Sequence, residues 1–346
     1  VSTGGLGTVY VAGAGVSLDA SVTTLNGDVL ISSTQEITQT AAINSTSGDV
    51  GIIAGTTITQ SSSGDITTNS GDVLIEAGTD WTMSNGTVIT AGGGDFDGKA
   101  LNGDLALGRI NAARAAMSAS GDISDANGTT LNVDGTSLSM RAGGMIGNHD
   151  NTNGTPSSNT NAIDTQVTTL AALAGTGIYI EEANSLTIDT VATVNVTVDG
   201  PNRANFNSTT TAVPQSRTTN ALEDLVTLNN GPIKIVTLNG SITVDDGTTG
   251  SVGIAANGIG DVLLEARGAG SDVIVNATLS SGSGHVTLNA VDDVDVNASV
   301  STGGLGTVYV TGAGVSLDAS VTTANGDVLI SSTQEITQTA AINSTS

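Results

Sequence analysis

Short stretches in which apolar and polar residues alternate run through most of the chain. One segment near the C-terminus reads Val308-x-Val310, then Val315-x-Leu317, then Val321. Alternation with period two places the apolar side chains on one face of a β-strand. Gly, Asn, Asp or Ser stands at the corners between these stretches, where turns are favoured. The pattern therefore predicts three short strands and three corners in each segment.

The segments recur at nearly equal spacing along the chain. Stacked coils of a β-solenoid must have similar perimeters, so equal spacing favours that fold. The alternative is a β-sandwich with hairpins at Asn-Gly pairs, but that fold predicts longer strands. We predict an all-β fold, a parallel β-helix with coils of about 20 to 24 residues. The segment starts that carry this prediction are Gly27-Asp28-Val29, Gly48-Asp49-Val50, Gly71-Asp72-Val73, Gly94-Asp95-Phe96, Gly260-Asp261-Val262, Gly284-His285-Val286, Gly306-Thr307-Val308 and Gly326-Asp327-Val328.

A second, much longer repeat encloses the short one. Residues 1–47 return as residues 300–346 with two substitutions, Ala12 becoming Thr311 and Leu25 becoming Ala324, so the long period is 299 residues. Tandem repetition of a supersecondary unit is typical of filaments, stalks and shafts rather than of catalytic domains. About 12 to 14 coils at the inter-strand spacing would make one period roughly 60 Å tall.

The short period weakens in the middle of the chain. We therefore expect three regions: solenoid coils over 1–140, solenoid with extruded loops over 141–220, and coils over 221–346, of which 300–346 restart the long repeat. One loop is expected at 148–161 and the other at 201–217, since both are rich in turn formers. Arg109–Ala119 has helix-favouring alanines, but strand starts flank it on both sides, and we predict strands there.

Composition and charge narrow the function classes. Only 12% of residues are charged, 2% are aromatic and Cys is absent. The net charge of −25 repels nucleic acids and anionic membranes, so we expect neither as a partner, while multivalent cations are plausible counterions. No apolar stretch approaches the roughly 18 to 20 residues that span a bilayer. Any export signal is expected outside these residues, and the architecture leads us to expect an extracellular or cell-surface location.

Three segments carry a resemblance to a known family. They are Gly144-Met145-Ile146-Gly147, Ile163-Asp164-Thr165-x-Val167-x-x-Leu170-Ala171-Ala172, and Gly177-Ile178-Tyr179-Ile180-x-Glu182-Ala183. Together with the Gly-Asp-Val starts, they resemble the giant repetitive β-helical exoproteins of bacteria, the filamentous-haemagglutinin-like adhesins. The resemblance implies a right-handed parallel β-helix displayed outside the cell and used in adhesion, matrix or filament formation.

Few residues have the types or spacing that chemistry needs. The calcium candidates are Asp95 and Asp97 in one segment and Asp292, Asp293 and Asp295 in another, because carboxylates are hard oxygen ligands. Neither group completes a calcium loop, and Asp residues that cap turns explain them equally well. His149 and His285 have no second His at ligand spacing, which disfavours zinc.

An enzyme is also considered, beside a structural shaft and a binding module, because some β-helices degrade polysaccharides. It would need two convergent carboxyl groups, and the candidates are the adjacent pairs Glu181-Glu182 and Glu223-Asp224. Adjacent residues on a strand point to opposite faces, so we expect no catalytic pair. Trp81 and Tyr179 could stack on sugars, although single aromatics at strand positions are more often packing residues.

These observations predict a non-catalytic structural segment of a giant extracellular or cell-surface filament or adhesin shaft, without an obligatory cofactor. Its expected partners are other copies or neighbouring repeats, joined end to end, and a surface polysaccharide or a partner cell. The alternative is an adhesin module that binds carbohydrate or protein through the loops at 148–161 and 201–217.

Overall fold

The computed structural model describes residues 1–3, 7–148, 161–200, 203–204, 207, 210–211 and 214–345. Across these residues the secondary structure is entirely β, with parallel strands stacked as a β-solenoid of about 14 turns. The predicted fold class is confirmed. No helix among the described residues is long and apolar enough to cross a membrane.

Contacts divide the chain into two compact units. Unit 1 consists of 1–138 and 192–221, and unit 2 of 139–191 and 222–346. The strands up to the division, which falls within the last of them, are β1 (Ser2–Thr3), β2 (Val9–Gly13), β3 (Val16–Leu18), β4 (Val22–Thr24), β5 (Val29–Ser33), β6 (Ile37–Gln39), β7 (Ile43–Ser45), β8 (Val50–Ala54), β9 (Ile58–Gln60), β10 (Ile66–Thr68), β11 (Val73–Ala77), β12 (Trp81–Met83), β13 (Val88–Thr90), β14 (Asp95–Ala100), β15 (Leu105–Leu107), β16 (Arg109–Ala119), β17 (Ile123–Asp125) and β18 (Val133–Ala142).

The remaining strands continue in chain order, and four of them, β24 to β27, belong to unit 1. They are β19 (Met145–Ile146), β20 (Ile163–Gln166), β21 (Thr169–Ala174), β22 (Gly177–Glu182), β23 (Leu186–Ile188), β24 (Val194–Val198), β25 (Arg203–Ala204), β26 (Thr210–Thr211), β27 (Gln215–Thr219), β28 (Leu225–Thr227), β29 (Ile233–Thr237), β30 (Ile242–Val244), β31 (Val252–Ala256), β32 (Val262–Ala266), β33 (Val273–Val275), β34 (Thr278–Ser281), β35 (Val286–Ala290), β36 (Asp293–Val296), β37 (Val300–Thr302), β38 (Val308–Gly312), β39 (Gly314–Leu317), β40 (Val321–Thr323), β41 (Val328–Ser332), β42 (Ile336–Gln338) and β43 (Ile342–Ser344).

Each unit stacks its strands into three parallel sheets, one for each strand position in the coil. In unit 1, sheet A holds β2, β5, β8, β11, β14 and the second half of β16, and sheet B holds β3, β6, β9, β12, β15 and β17. In unit 2, sheet A holds β22, β29, β32, β35, β38 and β41. The third sheet, sheet C, completes the coil, and in unit 1 it holds β1, β4, β7, β10, β13 and the first half of β16.

Residues at the predicted segment starts pair with one another from coil to coil. Val29 pairs with Val50, Val50 with Val73, and Val73 with Phe96, so aliphatic side chains stack in rows along the interior. Coils are 19 residues apart from Phe96 to Ala115 and 29 from Ile233 to Val262, outside the predicted range. Insertions at corners lengthen a coil without disturbing its strands. Arg109–Ala119 is one strand, β16, as predicted.

The two predicted loops of the middle region lie only partly within the described residues. In the first predicted loop, residues 149–160, with His149, lie outside the described residues, but a backbone hydrogen bond of 2.6 Å from Asn148 N to Asn161 O joins its ends. Within the second, residues 201–202, 205–206, 208–209 and 212–213 lie outside them. The residues that flank it do not continue the coils, because Val194–Val198 is not a coil strand. It pairs antiparallel with Gln215–Thr219, and the two strands form a hairpin.

Candidate functional site

The antiparallel hairpin formed by residues 192–200 and 214–221, which we call the strap, lies on the outward side of sheet A in unit 1. Its Val194, Val196 and Val198 are buried together with Leu30 and Leu74 in one hydrophobic cluster, which Ala116 and Ile53 complete. The outward side chains of a solenoid normally face water. Here they form a second, external core between the coils and the strap.

The strapped face, which we define as the outward positions on five consecutive coils, has residues that suit the close approach of a strand. In register order they are Leu30, Gly51, Leu74, Asp97 and Ala116. A Cβ atom at Gly51 would lie 2.8 Å from Leu30 Cδ1 and 3.4 Å from Val198 Cβ. Glycine therefore leaves the space into which Val198 packs.

An ion pair anchors the second strand of the strap. Arg217 Nη1 donates to Asp97 Oδ1 at 2.9 Å, and Nη2 lies 3.1 Å from Glu76 Oε2. Thr219 Oγ1 donates to the other Asp97 oxygen at 2.5 Å. Asp97 is only 1% exposed. Burial raises the pKa of its carboxyl, and Arg217 and Thr219 oppose that rise. Without the strap, this carboxylate would lose both partners.

A second arginine holds the first strand of the strap. Arg114 Nε donates to Asp95 Oδ1 at 2.9 Å, its Nη2 pairs with Asp95 Oδ2, and its Nη1 donates to Thr193 O at 3.2 Å. The calcium candidates Asp95 and Asp97 are therefore each paired with an arginine. This pairing does not support calcium binding by Asp95 or Asp97, and calcium binding there stays a prediction.

Asp95 is also the end of a ladder of carboxylates at the corner before sheet A. The backbone N–H groups of Asp49, Asp72 and Asp95 donate to the Oδ1 atoms of Asp28, Asp49 and Asp72, at 2.8, 2.7 and 2.8 Å. Burial, with repulsion from Asp28, Asp72 and Asp199, raises the pKa of Asp49 to about 6. The strap contributes to this ladder, because Asp199 N donates to Asp28 Oδ2 at 2.9 Å.

The other calcium candidates lie in a similar ladder in unit 2. Asp293 N donates to Asp272 Oδ1 at 3.0 Å, and Asp293 Oδ1 accepts from Gly314 N at 2.9 Å. Asp293 and Asp295 line an open depression of about 230 Å³, with Glu335 on its rim. Burial and nearby carboxylates raise the pKa of Asp295. Asp292 makes backbone hydrogen bonds to neighbouring coils.

Among the described residues, no three carboxylate or imidazole side chains form a group that could hold a metal ion. His285 instead replaces an Asp in a corner ladder. Its N–H donates to Asp261 Oδ1 at 2.7 Å, and its Nδ1 accepts from Thr307 N at 3.1 Å. The His285 imidazole therefore accepts the same kind of backbone hydrogen bond that an Asp carboxylate accepts at other coil starts.

The two carboxyl pairs considered for catalysis have separate roles. Glu182 is fully buried at the corner of β22, where it accepts hydrogen bonds from Thr165 Oγ1 at 2.7 Å, Val167 N at 3.0 Å and Asn184 N at 3.1 Å. Burial nevertheless raises its pKa to about 7. Glu181 lies on the other, partly exposed side of the strand, as adjacent strand residues do.

The second pair includes a buried carboxylate on a residue whose backbone lies in the left-handed region. Asp224 is 8% exposed, has a positive φ of 69° and leaves Oδ1 without a hydrogen-bond partner. Burial, with repulsion from Glu223, Asp246 and Asp189, raises its pKa to about 6. Glu223 is instead bound by the backbone N–H groups of Thr248 and Thr249. The pair therefore organises the corner between coils.

The aromatic candidates are both buried, Trp81 inside the coils and Tyr179 at an outward position of sheet A in unit 2. Trp81 is fully buried, stacks at 5.9 Å from Phe96 and donates from Nε1 to Gln60 Oε1 at 2.8 Å. Gln60 in turn donates to Gln39 Oε1 at 2.9 Å, so a buried amide ladder satisfies the indole. Tyr179 is also buried. Neither ring offers an open face to a sugar.

Comparison with protein-family models, with curated proteins and with solved structures finds no match to this chain. The coils and their repetition are consistent with β-helical repeat proteins, which is the part of the family resemblance that the structure supports.

Proposed function

We propose that the chain is a structural segment of a giant extracellular or cell-surface filament or adhesin shaft. The observation that carries this proposal is the restart of the 299-residue repeat within the stacked coils of unit 2: β38 to β43 repeat the bounds of β2 to β7, except that β39 begins one residue earlier than β3 does. A repeat that joins its own copy through ordinary coil contacts can be extended without limit.

The interior of the coils supports a mechanical role. Rows of Val, Ile and Leu and parallel ladder hydrogen bonds give every coil the same kind of interface with its neighbours, so no single contact limits the strength. The carboxylate ladders put much of the net charge of −25 at the corners. Charge of one sign on the outside keeps long polymers soluble.

The test is an electron-microscopic image of the native assembly. We expect a fibre whose length grows by roughly 60 Å for each added period. Globular particles, or beads on flexible linkers, would contradict the shaft.

Loop deletion separates the shaft from the binding alternative. The hydrogen bond between Asn148 and Asn161 closes the base of the first loop, so replacing residues 149–160 by a short turn should leave the coils intact. If the shaft itself mediates attachment, the shortened chain attaches to cells or polysaccharide as the full chain does. Loss of attachment with an unchanged circular dichroism spectrum would assign the role to the loop.

A further inference from the structure

Among the positions whose burial differs between the two copies of the repeated sequence is one outward leucine. Leu30 is 2% exposed beneath the strap, whereas its counterpart Leu329 is 47% exposed. The neighbouring residues from Asn26 to Ser45 are identical to those from Asn325 to Ser344. An exposed leucine of this kind therefore has a known covering partner elsewhere in the same protein.

The local structure around the two leucines is the same. Both lie in five-residue strands, Val29–Ser33 and Val328–Ser332. The hydroxyl of the serine that ends each strand accepts the N–H of the residue two positions on, at 3.1 Å in both copies. The second copy thus has the same strand and corner as the first, but among the described residues it has neither a strap nor a following coil beside it, whereas β5 pairs with β8.

The second copy also has the polar group that the strap uses. In the first copy, Asp28 Oδ2 accepts the N–H of Asp199 at 2.9 Å, next to the contact of Val198 with the strapped face. Asp327 stands at the corresponding position of the second copy. The second copy therefore has counterparts of both the apolar and the polar residue that contact the end of the strap.

Among the described strands of sheet A in unit 2, the positions before Leu329 do not form such a face. The strapped face combines a small residue, an acidic anchor and leucines, in the order Leu30, Gly51, Leu74, Asp97 and Ala116. The preceding outward positions on sheet A of unit 2 are Tyr179, Lys234, Leu263, Thr287 and Tyr309, which lack the small residues and the acidic anchor. The pattern resumes only at Leu329.

We propose that Asp327 and Leu329 begin a second strapped face, whose occupant is a further copy of the strap supplied by the next period. This inference rests on the proposed tandem array. Each period then closes its own first coils with its own strap, and the array carries one external core in every 299 residues.

Thiol labelling tests the proposal, because the chain has no cysteine of its own. Leu329→Cys is placed in the 346-residue chain and in an extended chain in which residues 48–299 are repeated after Ser346. We expect maleimide to label Leu329→Cys about tenfold or more slowly in the extended chain, as slowly as it labels Leu30→Cys in either chain. Leu305→Cys, at a position 77% exposed, should react equally fast in both.

A strap variant separates strap cover from simple coil stacking. Val198→Asp, placed only in the second period of the extended chain, should restore fast labelling of Leu329→Cys and leave Leu30→Cys protected. If Leu329→Cys stays protected in this variant, the added coils cause the protection and the proposal is overturned. The proposal is also overturned if Leu329→Cys becomes protected in the 346-residue chain when the protein concentration is raised. If labelling stays fast while the extended chain forms a longer fibre, this inference fails and the shaft stands. Separate beads in the microscope would instead contradict the proposed function.

Discussion

Residues 1–47 and 300–346 are nearly the same sequence in two different surroundings. Their strands have corresponding bounds, but Ile37 is fully buried and its counterpart Ile336 is 50% exposed. The opposite holds at the start of each copy, where Val310 is buried and Val11 is only partly so. Local sequence thus determines strands and corners, while burial in a solenoid depends on which coils, or which strap, lie beside them.

The largest expected effect on stability comes from substituting the leucine that is buried in the first copy and exposed in the second. Leu30→Asp places a charge under the strap with no partner, and we expect a loss of about 3–5 kcal/mol in stability or the release of the strap. Leu329→Asp should cost about 0.5 kcal/mol or less, because the site is open. Chemical unfolding of both variants, with hydrogen exchange of the Val196 amide as a reporter of the strap, measures the difference. Equal effects would mean that the strap does not cover Leu30 in solution.

The next largest effect concerns the ion pair of the strap. Arg217→Met leaves Asp97 buried without its charge partner, and we expect a loss of about 3 kcal/mol. The matched control is Arg267→Met in unit 2, which breaks the more exposed pair with Glu265 at 2.8 Å and should cost about 0–1 kcal/mol. Adding Asp97→Leu to Arg217→Met should recover most of the stability. If it does not, the strap depends on Arg217 for something other than charge.

Much of the fold could be predicted from the sequence. The equal spacing of Gly-led corners and the period-two alternation predicted parallel coils, and β16 formed where flanking strand starts outweighed alanine's preference for helix. The strap was missed, although a signal was present. Val29-Leu30-Ile31 and Val73-Leu74-Ile75 are unbroken apolar runs, which are typical of strands buried on both faces. Alternation would have placed a polar residue at Leu30 and Leu74.

The site contacts could not be predicted, because they join residues far apart in the chain. Nothing near Asp97 in sequence indicates that Arg217 is its partner, 120 residues away. The calcium candidates show the same limit. Clustered carboxylates in a sequence are compatible with a cation, with an arginine or with backbone N–H groups, and only the stacking of coils determines which of these is adjacent.

A change of pH tests the difference between the two copies further, because Asp49 lies on the coil that follows the first copy and pairs with it. The folded-state pKa values of Asp49, about 6, and Glu182, about 7, lie above those of unfolded chains. Protons therefore bind the folded state more tightly, and the stability they contribute is complete below about pH 4 and is lost as the pH rises through 6 to 7. We expect a higher melting temperature at pH 5 than at pH 8.

Substitutions assign this pH dependence to particular carboxyl groups. Asp49→Asn and Glu182→Gln should each reduce the difference between pH 5 and pH 8, by about 3 kcal/mol at most for Glu182. Glu36→Gln removes one charge at an exposed position and serves as the control. An equal reduction with Glu36→Gln would point to the net charge rather than to burial.

The smallest effect concerns the entry to the second copy, where His285 accepts the N–H of Thr307. His285→Asp should preserve this hydrogen bond and leave stability within about 0.5 kcal/mol. His285→Leu removes the acceptor, and we expect a loss of about 1 kcal/mol. Thermal unfolding of the two variants checks this order. Equal losses would show that the ring's packing, and not its nitrogen, matters at this corner.

The separation between the strap and its face also affects the timing of synthesis. Asp199 meets Asp28 across 171 residues of chain. At a synthesis rate of about 5–20 residues per second, Leu30 and Leu74 remain uncovered for on the order of ten to thirty seconds before the hairpin emerges. During that interval the nascent chain presents an apolar row at the ribosome exit, where chaperones or neighbouring nascent chains could bind it.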